Sequence, residues 1–118
     1  MLLLLQPPSF NDQYIVFLDP IKNNVIENSV FIRIIYSPPE IVFNGIFISL
    51  SDSTYNELYQ IEKNIISKYK SSKTHRYIFS EMQLFKPQLV GYLKISGLWE
   101  NNYAVGIAYK IISYPSVL

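Results

Sequence analysis

The segment between residues 68 and 77, here called the basic connector, has the densest group of side chains suited to a charged ligand. Its basic and histidine side chains are accompanied by no acidic residue. Cationic side chains contact phosphate groups, and an adjacent aromatic ring offers a surface on which a nucleic-acid base can stack. The residues predicted to bind nucleic acid are Lys68, Tyr69, Lys70, Lys73, His75, Arg76 and Tyr77.

A second interpretation of the basic connector is purely structural. Short basic segments often form the solvated end of a helix and its following loop, and in that case Tyr69 and Tyr77 would pack in the core. The formal net charge of +1 gives no global electrostatic support for nucleic-acid binding. Both interpretations of the connector stay open at the level of the sequence.

The sequence contains no recognisable catalytic or cofactor-binding motif. There is no cysteine and His75 is the single histidine, so a zinc site lacks ligands. The glycines form neither a phosphate-binding loop nor a dinucleotide fingerprint, and the carboxylates are scattered rather than paired as a general acid and base. We therefore expect a protein that is not an enzyme, needs no metal or cofactor, and has no evident small-molecule substrate.

Two single residues have ambiguous roles in the strands that contain them. Arg33 interrupts an apolar strand, and because an unpaired buried charge is costly, we expect its side chain to face outward. Trp99 ends another strand, where it is either a core anchor or an exposed contact residue. We interpret Trp99 as a core residue.

A single domain is expected over residues 1–118, with residues 1–9 as an N-terminal arm or edge strand. A helix is predicted over about residues 54–70, because Thr54 and Glu57 have the spacing of a capping box. Within it, Leu58, Ile61 and Ile65 recur at helical spacing and indicate the buried face.

Apolar alternation and turn residues predict the remaining elements as strands, over residues 14–18, 25–36, 41–50, 77–85, 89–99 and 103–113. Within the third strand, Asn44-Gly45 is either a hairpin turn or a bulge. Residues 71–75 are expected to form a polar loop. The predicted fold is therefore α+β, with a mainly antiparallel, curled sheet of about six strands packed against one helix, either open or barrel-like.

The apolar segments of the chain are too short for a membrane span or a signal peptide, which bears on its cellular location. No apolar run approaches the roughly 18 residues of a membrane span, and Met1–Leu5 is too short for the core of a signal peptide. Without cysteine the protein is free of disulfides. We expect a soluble protein that is not secreted.

Four stretches, taken in order and spacing, carry a resemblance to a viral group. They are Phe31–Ser37, Asn44–Ile48, Lys94–Glu100 and Gly106–Lys110. Over about residues 30–112 the chain resembles short uncharacterised proteins of nucleocytoplasmic large DNA viruses. The resemblance implies a viral protein in the cytoplasm or nucleus of an infected cell, or in the virion. It implies no activity and no functional residues.

Two functional hypotheses follow from these observations. The first is a non-enzymatic viral binding protein that contacts single-stranded or otherwise exposed DNA or RNA through the basic connector and aromatic residues of the sheet. The second is a virion structural or protein–protein interaction module that associates with itself or with another viral protein through strand edges and the N-terminal arm.

We predict that metal chelation leaves the melting temperature unchanged, because one histidine without cysteine offers no structural metal site. Thermal unfolding followed with and without a chelator checks this expectation. A fall of several degrees that zinc or calcium reverses would contradict it.

Overall fold

The computed structural model describes residues 4–23, 28–50, 54–79 and 91–113. These residues form one open sheet of nine strands, one long α-helix and two short 3-10 helices, and Ile78 and Phe79 are also helical. The α+β class is confirmed. The sheet has a mixed orientation, so the expectation of a mainly antiparallel sheet of about six strands was imprecise.

Most of the additional strands are very short, which is why alternation along the sequence does not reveal them. The strands are β1 Leu4–Leu5, β2 Ile15–Phe17, β3 Ile21–Lys22, β4 Val30–Tyr36, β5 Phe43–Asn44, β6 Ile46–Ser49, β7 Thr74–Arg76, β8 Gly91–Glu100 and β9 Ala104–Ser113. The 3-10 helices are Pro7–Ser9 and Asp12–Tyr14.

Strand β8 is the centre of the sheet. It pairs antiparallel with β9 along its length, as the predicted hairpin requires. On its other edge, the first half of β8 pairs with β6 and the second half with β4. Strand β4 also pairs with β2, β3 and β5. Two parallel pairs, β1 with β6 and β7 with β9, give the sheet its mixed orientation.

The helix α1 runs from Tyr55 to Tyr69 and begins with the predicted capping box. The backbone nitrogen of Thr54 donates to Glu57 Oε1 at 3.0 Å, and the backbone nitrogen of Glu57 donates to Thr54 Oγ1 at 3.2 Å. The helix ends at Lys70, which adopts a left-handed conformation with φ of 58°. One face of the helix is buried with sheet residues of β4, β6, β8 and β9 in a single core. The buried helix residues are Leu58, Ile61, Glu62, Ile65 and Ile66.

Glu62 is a fully buried carboxylate on this apolar face. Its oxygens accept hydrogen bonds from the backbone nitrogens of Ile78 at 2.7 Å and Phe79 at 3.1 Å. Charge-assisted bonds to backbone donors offset the desolvation that burial of a carboxylate costs. Ile78 and Phe79 are helical, so the predicted strand over 77–85 is wrong at this point, and residues 80–85 lie outside the described residues.

The loop predicted over residues 71–75 also needs correction, because Thr74–Arg76 forms β7. The hairpin partner of β9 occupies only one of its edges, which leaves backbone groups on the other edge available for a strand. The backbone nitrogen of Thr74 donates to the carbonyl oxygen of Tyr103 at 3.1 Å and starts this pairing.

Asn44-Gly45 does not form a hairpin turn. Strand β5 before it pairs with β4, whereas β6 after it pairs with β8. The extended segment therefore passes from one partner to the next with a break at Gly45. At the N-terminus, Leu4–Leu5 forms β1, which pairs parallel with β6, and residues 1–3 lie outside the described residues. No helix in the described part of the chain is long and apolar enough to cross a membrane.

We predict that Ile61→Ala lowers the free energy of unfolding by about 2 to 5 kcal/mol, because it leaves a cavity between the helix and the sheet. Denaturant unfolding measures this loss. Lys63→Ala is the matched control, since Lys63 is exposed on the same helix and should change stability by no more than about 0.5 kcal/mol. Equal midpoints for the two variants would remove Ile61 from the core.

Candidate nucleic-acid interface

A bulge in β8 determines which residues reach each face of the sheet. The pairing with β9 shifts by one residue between Ile95, which pairs with Tyr109, and Gly97, which pairs with Ala108. Before the shift, Leu93 and Ile95 point into the core, and after it Leu98 does so. A bulge reverses the alternation of the strand in this way. The side chain of Trp99 consequently lies on the face opposite the helix.

Trp99 is partly exposed and is not a member of the core, so its interpretation as a core residue is wrong. Its indole lies over Gly106 of the neighbouring strand. A Cβ atom at Gly106 would be 2.7 Å from Trp99 Cζ2 and 3.0 Å from Nε1. The absent side chain at Gly106 therefore makes room for the ring.

Among the described residues, the face opposite the helix, here called the open face, carries four partly exposed aromatic side chains. Phe31 pairs directly with Trp99 across β4 and β8. The Phe47 and Tyr92 rings lie 6.0 Å apart at their centroids. None of these four belongs to the core or to the partly buried residues that pack against it.

Four cationic residues in the described strands share the open face with these rings. Arg76 pairs with Gly106 and so lies beside Trp99. Arg33 pairs with Gly97, and its exposed side chain confirms the expected outward orientation. Lys94 and Lys110 stand directly opposite each other, with Lys94 Nζ 5.7 Å from the centroid of the Phe47 ring.

The charge on the open face is of one sign in the strands that the structure describes. Their one acidic residue, Glu100, pairs with the buried Val105 and so lies on the helix side. There Glu100 Oε2 accepts a hydrogen bond from Ser71 Oγ at 2.6 Å. Like charges placed directly opposite, such as Lys94 and Lys110, destabilise a sheet. An anion bound at this face would offset that repulsion.

Both tyrosines of the basic connector are partly buried and pack against the core. The Tyr69 ring lies 5.3 Å from the Phe17 ring, and the Tyr77 ring lies 5.4 Å from the Tyr59 ring. Burial, more than any nearby charge, raises the pKa of both hydroxyls above the ordinary value. For these two rings, the structure agrees with the interpretation that places them against the core.

The basic side chains of the connector do not form one cluster. Lys68 Nζ donates to the carbonyl oxygen of Asp12 at 2.5 Å, and His75 Nδ1 lies 2.8 Å from the Tyr77 hydroxyl. Lys70 is exposed at the end of the helix and Lys73 is partly exposed. Of the seven predicted residues, Arg76 is the one that pairs into the open face.

Most of the open face was missed because its residues are distant in the sequence. A signal does exist within single strands, where aromatic and cationic residues alternate with core residues. Phe31 and Arg33 follow this period of two in β4, and Tyr92 and Lys94 follow it in β8. At the tip of the β8–β9 hairpin, Tyr103 is 81% exposed.

No protein-family model, curated protein or solved structure matches this chain significantly. The residues that the structure describes contain no group of three or more histidine, aspartate or glutamate side chains placed to hold a metal ion.

We predict that Gly106→Ala displaces the indole while the fold persists, because the new Cβ meets the far end of a movable side chain. Trp99 is the single tryptophan, so its fluorescence should shift to longer wavelength as the ring becomes more hydrated. Ala108→Ser, on the same strand and opposite Gly97, is the control. An unchanged spectrum in Gly106→Ala would mean that the indole does not rest on Gly106.

Proposed function

We propose that this chain is a non-enzymatic viral protein that binds single-stranded nucleic acid on the open face of its sheet. The observation that carries the proposal is the composition of that face, which combines four aromatic rings and four cations without an acidic strand residue in the described part of the chain. Aromatic residues on a positively charged surface are the usual means of binding unpaired strands. Arg76 links this face to the basic connector.

Single strands suit this surface better than a duplex. The rings lie on an extended sheet, and a base reaches such a ring only when it is unstacked from its neighbours. Phe31 and Trp99 lie near one end of β8, and Phe47 and Tyr92 lie near the other. A strand that follows β8 would meet the first pair of rings and then the second.

Phosphate contacts are available along the same path. Arg76 lies beside Trp99, Arg33 lies at the bulge, and the pair Lys94 and Lys110 lies towards Tyr92. The net charge of the whole chain is only +1. The open face can still be positively charged, because Glu100, the one acidic residue of the described strands, lies on the helix side. Binding should therefore depend strongly on salt despite the near-neutral protein.

The viral assignment within the proposal is supported by the resemblance over about residues 30–112. With it we propose a location in the cytoplasm or nucleus of the infected cell or in the virion. The chain then acts on nucleic acid as a binding partner rather than as a catalyst.

The second candidate function is self-association, or association with another viral protein, through strand edges. Apolar side chains near the β2–β3 side of the sheet favour it. Val16 in β2 is 46% exposed and Ile21 in β3 is 58% exposed. Short strands at the edge of a sheet can pair with another chain unless charges or proline prevent it.

We predict that aromatic and cationic residues of the open face affect binding in different ways. Trp99→Ala should weaken binding of a single-stranded oligonucleotide by about 1 to 3 kcal/mol at every salt concentration, because it removes a stacking surface. Arg76→Ala should reduce the slope of log affinity against log salt by about one, because it removes one phosphate contact. Fluorescence anisotropy at two salt concentrations measures both effects.

Lys63→Ala is the matched control for charge, because Lys63 lies on the helix and away from the open face. It should leave both the affinity and the salt slope unchanged. If the wild type fails to bind at about 0.05 M salt, or if Lys63→Ala weakens binding as much as Arg76→Ala does, the open face is not the site. A particle size that rises with protein concentration, in the absence of binding, would move self-association to first place.

A further inference from the structure

The open face contains a cavity of about 140 Å³ between its two pairs of aromatic rings. By register it lies between Phe31 and Trp99 on one side and Phe47 and Tyr92 on the other. The residues around it, here called the donor cavity, are Phe31, Arg33, Ile34, Asn44, Lys94 and Ser96.

Hydrogen-bond donors predominate among the polar side chains of the donor cavity. Arg33 and Lys94 carry donors and no acceptor. Asn44 Oδ1 already accepts a hydrogen bond from Arg33 Nη2 at 3.2 Å. This bond leaves the remaining N–H groups of the guanidinium available to a ligand. Ser96 supplies one hydroxyl, which donates or accepts.

We propose that the donor cavity selects bases with a carbonyl oxygen at purine C6 or pyrimidine C4, namely guanine, thymine and uracil, over adenine and cytosine, which carry an amino group at that position. The inference rests on the proposed binding of single strands and names the bases that the same face prefers. Phe31 supplies the ring against which the selected base stacks, and Arg33 reads its edge.

The selection follows from the pattern of donors and acceptors on each base. Guanine presents O6 and N7 as adjacent acceptors that match the forked guanidinium group of an arginine, and thymine or uracil presents O4. Adenine and cytosine present amino groups, N6 and N4, that donate. Against Arg33 and Lys94 these amino groups would face other donors and would lose their hydrogen bonds to water without replacement.

A phosphate group would also fit a cavity with two cations. Phosphate binding in the cavity would give a different dependence of affinity on the base. Binding of a phosphate is independent of the base attached to it and contributes mainly to the salt dependence. Selectivity between bases therefore separates the two possibilities.

The test compares two single strands of about twelve nucleotides, a length within the range that single-strand sites cover. One alternates deoxyinosine with deoxyuridine, and the other alternates deoxyadenosine with deoxycytidine. Each purine is matched in size to the other purine and each pyrimidine to the other pyrimidine, so stacking and charge are similar while keto and amino groups are exchanged. We expect the keto strand to bind at least about fivefold more tightly, as one matched arginine–base contact provides.

Variants of Arg33 identify the group responsible. Arg33→Lys keeps the charge but loses the fork, so the affinity ratio of the two strands should fall towards one while the salt slope is retained. Lys110→Met removes a charge from the same face outside the donor cavity, and it should weaken both strands equally and preserve the ratio. Both residues are exposed, and equal melting temperatures for the variants establish that they remain folded.

Three results would overturn the inference. If neither strand binds, the proposed function fails and the selectivity fails with it. If both strands bind the wild type equally, the open face binds single strands but the donor cavity does not read bases. If the keto strand is preferred and Arg33→Lys preserves the ratio, then another part of the protein is responsible for the preference.

Discussion

The structure depends on the close approach of β4 and β8 at the bulge in β8. A Cβ atom at Gly97 would be 2.1 Å from the carbonyl oxygen of Ile32, so glycine is required for the two backbones to meet. The extra residue beside Gly97 reverses the alternation of β8, which directs Leu98 inward and Trp99 outward. Without this reversal the indole would compete with the helix for the core, and the open face would lose its largest ring.

On the other face of the sheet, hydrogen bonds connect the helix to neighbouring segments. Glu62 bonds to the backbone that follows β7, Lys68 bonds to the carbonyl oxygen of Asp12, and Ser71 at the end of the helix bonds to Glu100. These contacts join the helix to segments before and after it in the chain. Within the basic connector, Lys68 and Ser71 are therefore engaged in hydrogen bonds inside the protein.

Elements that depend on residues close to them in the sequence were predicted better than elements that depend on distant residues. The capping box of Thr54 and Glu57, the helix face and the β8–β9 hairpin depend on neighbours in the chain, and all three were predicted correctly. Strand β7 and the helical residues Ile78 and Phe79 depend on β9 and on Glu62, which are remote, and local propensity does not encode such partners. The residues of the candidate site are even farther apart in the sequence, because they come from β4, β6, β7, β8 and β9. Of the residues predicted to bind nucleic acid, only Arg76 lies in this site.

The placement of the core on one face and of the aromatic and cationic residues on the other has an evolutionary consequence. Exchanges among exposed residues away from special backbone positions change stability little. Arg33, Arg76 and Lys110 could therefore be replaced during divergence without endangering the fold, whereas the glycine at the bulge could not. A lineage could change the chemistry of this surface while keeping the same scaffold, and sequences that share the scaffold would then be hard to align across the strands that carry the surface.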